Sequence, residues 1–290
     1  DGTVDSINAR ADHFRVDNDY IPPPGEALHH YTAGFAKILC SAVFITGLNP
    51  SDAAANVGGF ISPFDQRRHV VNTHIDRVRE EVSLALSDGT VRTARRYDNQ
   101  GCVAHSIGED SIEFTPSVVE ADLPLAHSTP WPLGDVLDSG AWPSGVDVEL
   151  AQRALDTGFG SADARTLGLV VTYRGRVLGE RYSDEVDIHT PLESWSMTKS
   201  LTGTLMGILI QQGEYKLWEN APIPEWQVDP NDPRNEIRIG DIMRMSSGIM
   251  INAPSDPDYD TSTYALSLIH ISEPTRQAEI SYAVVCLKKK

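Results

Sequence analysis

The run Ser194-Trp195-Ser196-Met197-Thr198-Lys199-Ser200-Leu201-Thr202-Gly203-Thr204-Leu205-Met206-Gly207-Ile208-Leu209 constrains this chain more than any other stretch. Met197, Leu201, Leu205, Ile208 and Leu209 recur at helical spacing, which predicts an amphipathic helix with one strongly buried face. Thr190-Pro191 precedes the run and Gly213 closes it, both ordinary boundary signals. Ser196 opens the helix, and Lys199, three residues on, falls on the same side one turn later.

That spacing has a chemical meaning. A serine hydroxyl becomes a useful nucleophile when a base takes its proton, and a lysine serves as that base only while neutral. Burial disfavours the ammonium form, and the positive end of a helix dipole acts in the same direction. The backbone N–H of Ser196, at a helix start, is available to donate to a developing oxyanion. The pattern is the Ser-x-x-Lys arrangement of serine acyl-transfer chemistry. Ordinary Ser and Lys usage gives about one such match by chance in a chain of this length. An N-cap serine followed by a solvated lysine is the competing reading, and the neighbouring elements must decide.

The length of 290 residues allows one large domain or two smaller ones. The most apolar stretch, Ala33 to Ile45, is too short to span a bilayer and carries Lys37. A formal charge of −17 argues against a nucleic-acid partner, which a basic patch would attract. From Leu266 the chain reads Leu-Ser-Leu-Ile-His-Ile-Ser-Glu-Pro-Thr-Arg, which resembles a read-through translation of a transposase-type sequencing-library adapter. Glu279-Ile-Ser-Tyr-Ala-Val-Val-Cys-Leu resembles the translated far end of the same adapter, and the terminal lysines fit an A-rich tail. A natural tail with an Ile-His-Ile strand is the alternative. On the adapter reading the authentic sequence ends near Ala265, a truncation, and 266–290 is excluded from fold reasoning. Dropping the tail removes Arg276, three lysines, Glu273 and Glu279, which takes −17 to −19. It also removes Cys286 and leaves Cys40 and Cys102. Two cysteines give a mild hint of an oxidising compartment. The chain opens at Asp1 without a signal peptide, so the expectation is a removed targeting segment or a late start.

Residues 1–27 are polar, and Ile21-Pro22-Pro23-Pro24-Gly25 reads as an extended linker. Tyr31, Phe35, Ile38, Leu39, Ala42 and Ile45 share one helical face. Asn49-Pro50-Ser51-Asp52 starts a short helix. Val70 to Ile75 reads as a strand, and Val82, Leu84 and Leu86 alternate toward an Asp88-Gly89 turn with Val91 to Arg95 returning. Cys102 lies just beyond, so a Cys40–Cys102 disulfide and two buried free thiols both stand as readings. Pro116 to Gly145 is the best linker, with tryptophans that plug a surface. Asp147 caps a helix with Val148, Ala151, Leu155 and Phe159 on one face. A hairpin of Leu169 to Tyr173 and Arg176 to Tyr182 turns at Arg174-Gly175. After the Ser196 helix, Ile237 to Gly248 reads as a short helix ending at Gly248.

Helix, hairpin, loop, Ser-x-x-Lys helix, then Met245-Ser246-Ser247-Gly248 resembles the serine β-lactamase-like superfamily. Class C-type β-lactamases, penicillin-binding peptidases, related esterases and 6-aminohexanoate-dimer hydrolases are the branches it looks most like. The residues carrying the resemblance are Trp195 to Ser200, Gly213 to Trp226 and Arg244 to Ile249, within roughly Asp147 to Ala265. It implies an α+β chain: a partial β-lactamase/transpeptidase-like fold, with antiparallel sheet, helices and a central Ser-x-x-Lys helix, preceded by an α/β N-terminal extension. The expected divisions are an extension over 1–130, part of the hydrolase domain over 131–265, and the non-native tail over 266–290. The resemblance implies Ser196 as nucleophile and Lys199 as its base. Tyr259 resembles a substrate-contacting tyrosine of the amide-hydrolase branch, with Tyr264 a weaker match. A Tyr-x-Asn element and a Lys/His-Thr/Ser-Gly strand have no secure match, so the chain as given is expected to show little activity. The substrate implied is a small ester, amide or lactam; no cofactor is implied, and a periplasmic or secreted location is favoured.

Other residues carry less. His29 and His30 are adjacent and point to opposite sides of any regular element, so no metal site is expected. His189 reads as a loop histidine, Glu80-Glu81 as a solvated charge pair, and no Gly-rich phosphate loop is present. The rival from another class is a non-hydrolytic penicillin-recognising or scaffold protein of the same fold.

Overall fold

The computed structural model of the chain describes residues 6, 9–10, 12–14, 25–59, 62–112, 114–116, 122–193 and 195–249. It is a mixed α+β structure with antiparallel sheets. Helix α1, Ala27–Ser41, forms where the sequence repeats apolar side chains every three to four residues, and it is buried along most of its length. It runs on as a π turn, Ala42–Thr46, which stops at Gly47 with φ 86°. Helix α2, Pro50–Asn56, starts as expected: Asn49 Oδ1 accepts from the Ser51 N–H at 2.9 Å, and proline occupies the first turn. Helix α3 is the single turn Phe64–Arg67.

Strands β1 (Val70–Asp76), β2 (Glu81–Leu86), β3 (Val91–Arg96) and β4 (Cys102–Ala104) form an antiparallel meander in that order. Val82, Leu84 and Leu86 alternate on β2, so all three share one face, and that face is buried against α1. The disulfide between Cys40 and Cys102 ties α1 to β4, with Cα atoms 6.0 Å apart. This decides between the two cysteine readings.

Two charged side chains complete this layer. The Arg67 guanidinium is enclosed by the Ser62, Ala54 and Val57 carbonyls at 2.8, 2.6 and 2.5 Å and lies between the Phe35 and Phe64 rings. Burial pushes its pKa down to about 10. Glu81 departs from the expected solvated pair. It is 8% exposed and accepts from Arg95 Nε at 3.1 Å, because β2 turns its side chain inward beside β3.

The second half is looser. Helix α4, Val148–Phe159, is capped by Asp147, whose carboxylate accepts from the Leu150 N–H at 2.9 Å. Strands β5 (Gly168–Tyr173) and β6 (Arg176–Tyr182) pair antiparallel around Arg174-Gly175. Leu155 is the one residue of α4 that is fully buried, and it sits against Gly179 so closely that a Cβ there would collide with Leu155 Cδ1. Val148, expected on the buried face, is 45% exposed. Among the described residues this sheet has two strands, so α4 has little to pack against. Trp131 of the preceding linker donates from Nε1 to the Gly175 carbonyl at 2.8 Å. Beyond the hairpin come helix α5, Thr198–Gln211, and helix α6, Ile239–Met243. Their shared core holds Phe14, Met206, Ala221, Trp226, Ile237 and Ile239.

Candidate active site

Ser196 lies on a 3-10 turn, Trp195–Met197, that feeds directly into α5. Lys199 is in the first turn of that helix. Residues three apart face the same side, and Lys199 Nζ reaches Ser196 Oγ at 2.8 Å. This is a hydrogen bond along which the hydroxyl proton can pass to a neutral amine. Both side chains are exposed, so the burial expected at Lys199 is not present.

The face of α5 differs from expectation in the same way. Met197, Leu201, Leu205 and Ile208 are 69, 65, 56 and 43% exposed, and Met206 is the buried residue of the helix. The helix carries apolar residues nearly all round, as a helix meant to be covered on several sides does. The described residues cover one side only. Met206 and Ile210 pack toward Trp226, Ile237 and Met243, and Met243 approaches Gly203 where a Cβ would stand at 3.6 Å from its Cε.

Helix α6 delivers the Met-Ser-Ser-Gly segment. It ends at Met243, short of the expected Gly248, because Met245 turns left-handed at φ 55°. The chain reverses there: the Ser246 N–H donates to the Asp241 carbonyl at 2.8 Å, and the Ile249 N–H to Ser247 Oγ at 3.3 Å. Asp241 anchors this corner. Its buried carboxylate accepts from Arg238 Nε at 2.9 Å and Arg244 Nη2 at 3.2 Å, and the Arg238 hydrogen bond holds its pKa down at about 2. The same two guanidiniums flank the Trp218 ring at 5.2 and 4.9 Å. The three-residue spacing of Arg238, Asp241 and Arg244 carried this signal, and the sequence reading missed it.

Tyr259 and Tyr264 lie outside the described residues, as does the tail 266–290. His189 Nδ1 stands 3.8 Å from Asp135 Oδ2 in the linker, while Ser196 has Lys199 as its hydrogen-bond partner. His29 is bound to Asp88 at 2.8 Å and to its own helix start, and His30 is buried. Among the described residues, no group of three His, Cys, Asp or Glu is placed to hold a metal ion, and no helix is long and apolar enough to cross a membrane.

Residues 151–278 match the protein-family model described as Beta-lactamase. The matched range contains α4, the β5–β6 hairpin, the Ser196–Lys199 pair and the Met-Ser-Ser-Gly corner, and it runs past Ala265. No curated protein and no solved structure matches the chain.

Proposed function

From the match of residues 151–278 to the Beta-lactamase family model, we propose that the protein is a serine hydrolase of the serine β-lactamase-like superfamily, forming an acyl-enzyme on Ser196 with a small ester, amide or lactam. The observation that carries this reading is the 2.8 Å contact between Lys199 Nζ and Ser196 Oγ at the start of a helix. Neutral Lys199 takes the Ser196 hydroxyl proton as Oγ attacks the substrate carbonyl, and the tetrahedral oxyanion forms. Lys199, now an ammonium, returns the proton to the leaving oxygen or nitrogen, and an ester to Ser196 remains. A water molecule then attacks that ester and frees the acid. Backbone N–H groups at the turn stabilise the oxyanion, a role that costs about a hundred- to a thousandfold in rate when one donor is lost.

We propose the division foreseen in the sequence: an extension over 1–130, hydrolase sequence over 131–265, and a non-native tail. Tyr259 is proposed as a substrate contact. The exposed pair and the face of α5 left open by the described residues support slow turnover by this chain. A solvated Lys199 also suits, as a second reading, a non-hydrolytic penicillin-recognising or scaffold protein of the same fold, in which the acyl-enzyme persists or never forms.

A serine-directed fluorophosphonate tests the first claim. The expected result is a single adduct on Ser196, lost in Ser196→Ala and slowed at least about a hundredfold in Lys199→Met, the scale of general-base catalysis. Undiminished labelling of Ser196→Ala would remove Ser196 from the mechanism. A lasting β-lactam adduct without turnover would select the second reading.

A further inference from the structure

The N-terminal extension touches the chain just ahead of the nucleophile. Thr46, the last residue of the π turn, donates from Oγ1 to the Pro191 carbonyl at 2.9 Å across 145 positions of sequence. Two residues further along, Glu193 is the carboxylate that acts on the ammonium of Lys37, a partly buried residue of α1. Both partners belong to the segment leading to the 3-10 turn that holds Ser196.

The extension's side of this contact is firmly built. Arg96 of β3 donates to the Phe44 carbonyl inside the π turn at 3.3 Å and pairs with Glu80 at 2.9 Å. The Leu48 N–H closes on the Ala42 carbonyl at 2.8 Å, and the Cys40–Cys102 disulfide fixes the end of α1 to β4. The nucleophile's side is the loop that follows the Asp187–Thr190 turn, in which the Asp187 N–H donates to Thr190 Oγ1 and that hydroxyl donates to the Asp187 carboxylate, each at 2.9 Å. A surface loop takes its position in part from the element it touches.

We propose that Thr46 is a positioning residue: its hydrogen bond to Pro191 holds the segment from which Ser196 enters α5 in register with Lys199. The extension is then a working part of the hydrolase rather than an appended module. The inference rests on the Ser196–Lys199 reading for its chemical consequence, though not for the contact itself.

Hydrogen exchange read by mass spectrometry on the full chain separates the two claims. In Thr46→Val, which keeps shape and loses the hydroxyl, exchange of the 191–199 peptide should quicken about five- to tenfold, the scale of one net hydrogen bond. The β2 peptide should not change, and Thr46→Ser should restore the native rate. Fluorophosphonate labelling of Ser196 should slow with the Val variant and recover with Ser. Unchanged exchange in Thr46→Val overturns the proposal, and so does faster exchange with undiminished labelling. A wild-type chain that takes no label removes the hydrolase reading, and the exchange rates alone then decide whether the extension holds this loop.

Discussion

The two halves of the molecule are built to different standards. In the extension, β2 buries Val82, Leu84 and Leu86 against α1, Arg67 has three carbonyl partners, and a disulfide closes the layer. Around α5, large apolar side chains stand in the open among the described residues, which cover a single stripe. Yet the pair proposed to carry the chemistry sits in the looser half. The Ser196–Lys199 contact needs only one helical turn, because three-residue spacing alone brings the groups together. Desolvating the lysine and completing an oxyanion site need packed tertiary structure. Reactive geometry is local here; reactive environment is not.

The largest expected effect tests the closed half. The disulfide spans a sequence separation of 62, and removing such a loop constraint costs roughly 4 kcal/mol. All five tryptophans lie from Trp131 onward, and Trp226 is buried in the second core beside Phe14, so fluorescence reports that core and not the disulfide-closed layer. Cys40→Ala/Cys102→Ala should lower the urea midpoint of far-ultraviolet dichroism while the tryptophan transition moves far less. Equal displacement of both signals would show that the halves unfold as one unit.

Legibility followed the range of the interaction. The β2–β3 hairpin could be read from the Val82, Leu84, Leu86 alternation and Asp88-Gly89, and α1 from its apolar period, because both are local patterns. The Ser196–Lys199 pairing was legible for the same reason. Glu81 was not: nothing in Glu80-Glu81 tells that β2 turns the second carboxylate toward Arg95. Thr46 with Pro191 was invisible, since no pattern links positions 145 apart. The period of Leu201, Leu205 and Ile208 told correctly that they share a face. Period cannot tell what covers that face, and among the described residues little does.

A second test uses acidity. His105 is 1% exposed, bonded through Nδ1 to Thr93 Oγ1 at 2.9 Å and through Nε2 to the Tyr97 hydroxyl at 2.8 Å. Burial lowers its pKa from 6.5 to about 4. Between those values the unfolded chain binds a proton that the folded chain refuses, so this contribution is complete above pH 6.5 and drains away toward pH 4. The slope should reach about 1 kcal/mol per pH unit. His105→Gln should flatten that slope in the dichroism transition and leave the tryptophan transition as it was. Asp241 does not confuse the reading: its depressed carboxylate gives up stability only from its ordinary 3.8 down toward about 2. The same slope in the variant would take His105 out of the account.

The smallest effect asks most of the comparison. Leu205 is 56% exposed on α5, so truncating it opens no cavity and removes few contacts. Leu205→Ala should shift stability by only a few tenths of a kcal/mol, as surface substitutions do. Alanine also favours a helix slightly more than leucine, which trims the loss further. Were the same face covered by packed sheet, the substitution would cost about 2–5 kcal/mol. The tryptophan transition reads the difference, because Met206, the next residue of α5, shares a core with Trp226. A loss above about 2 kcal/mol would mean that the face of Leu201, Leu205 and Ile208 is covered in solution, and with it Lys199 would gain the desolvation that general-base chemistry needs.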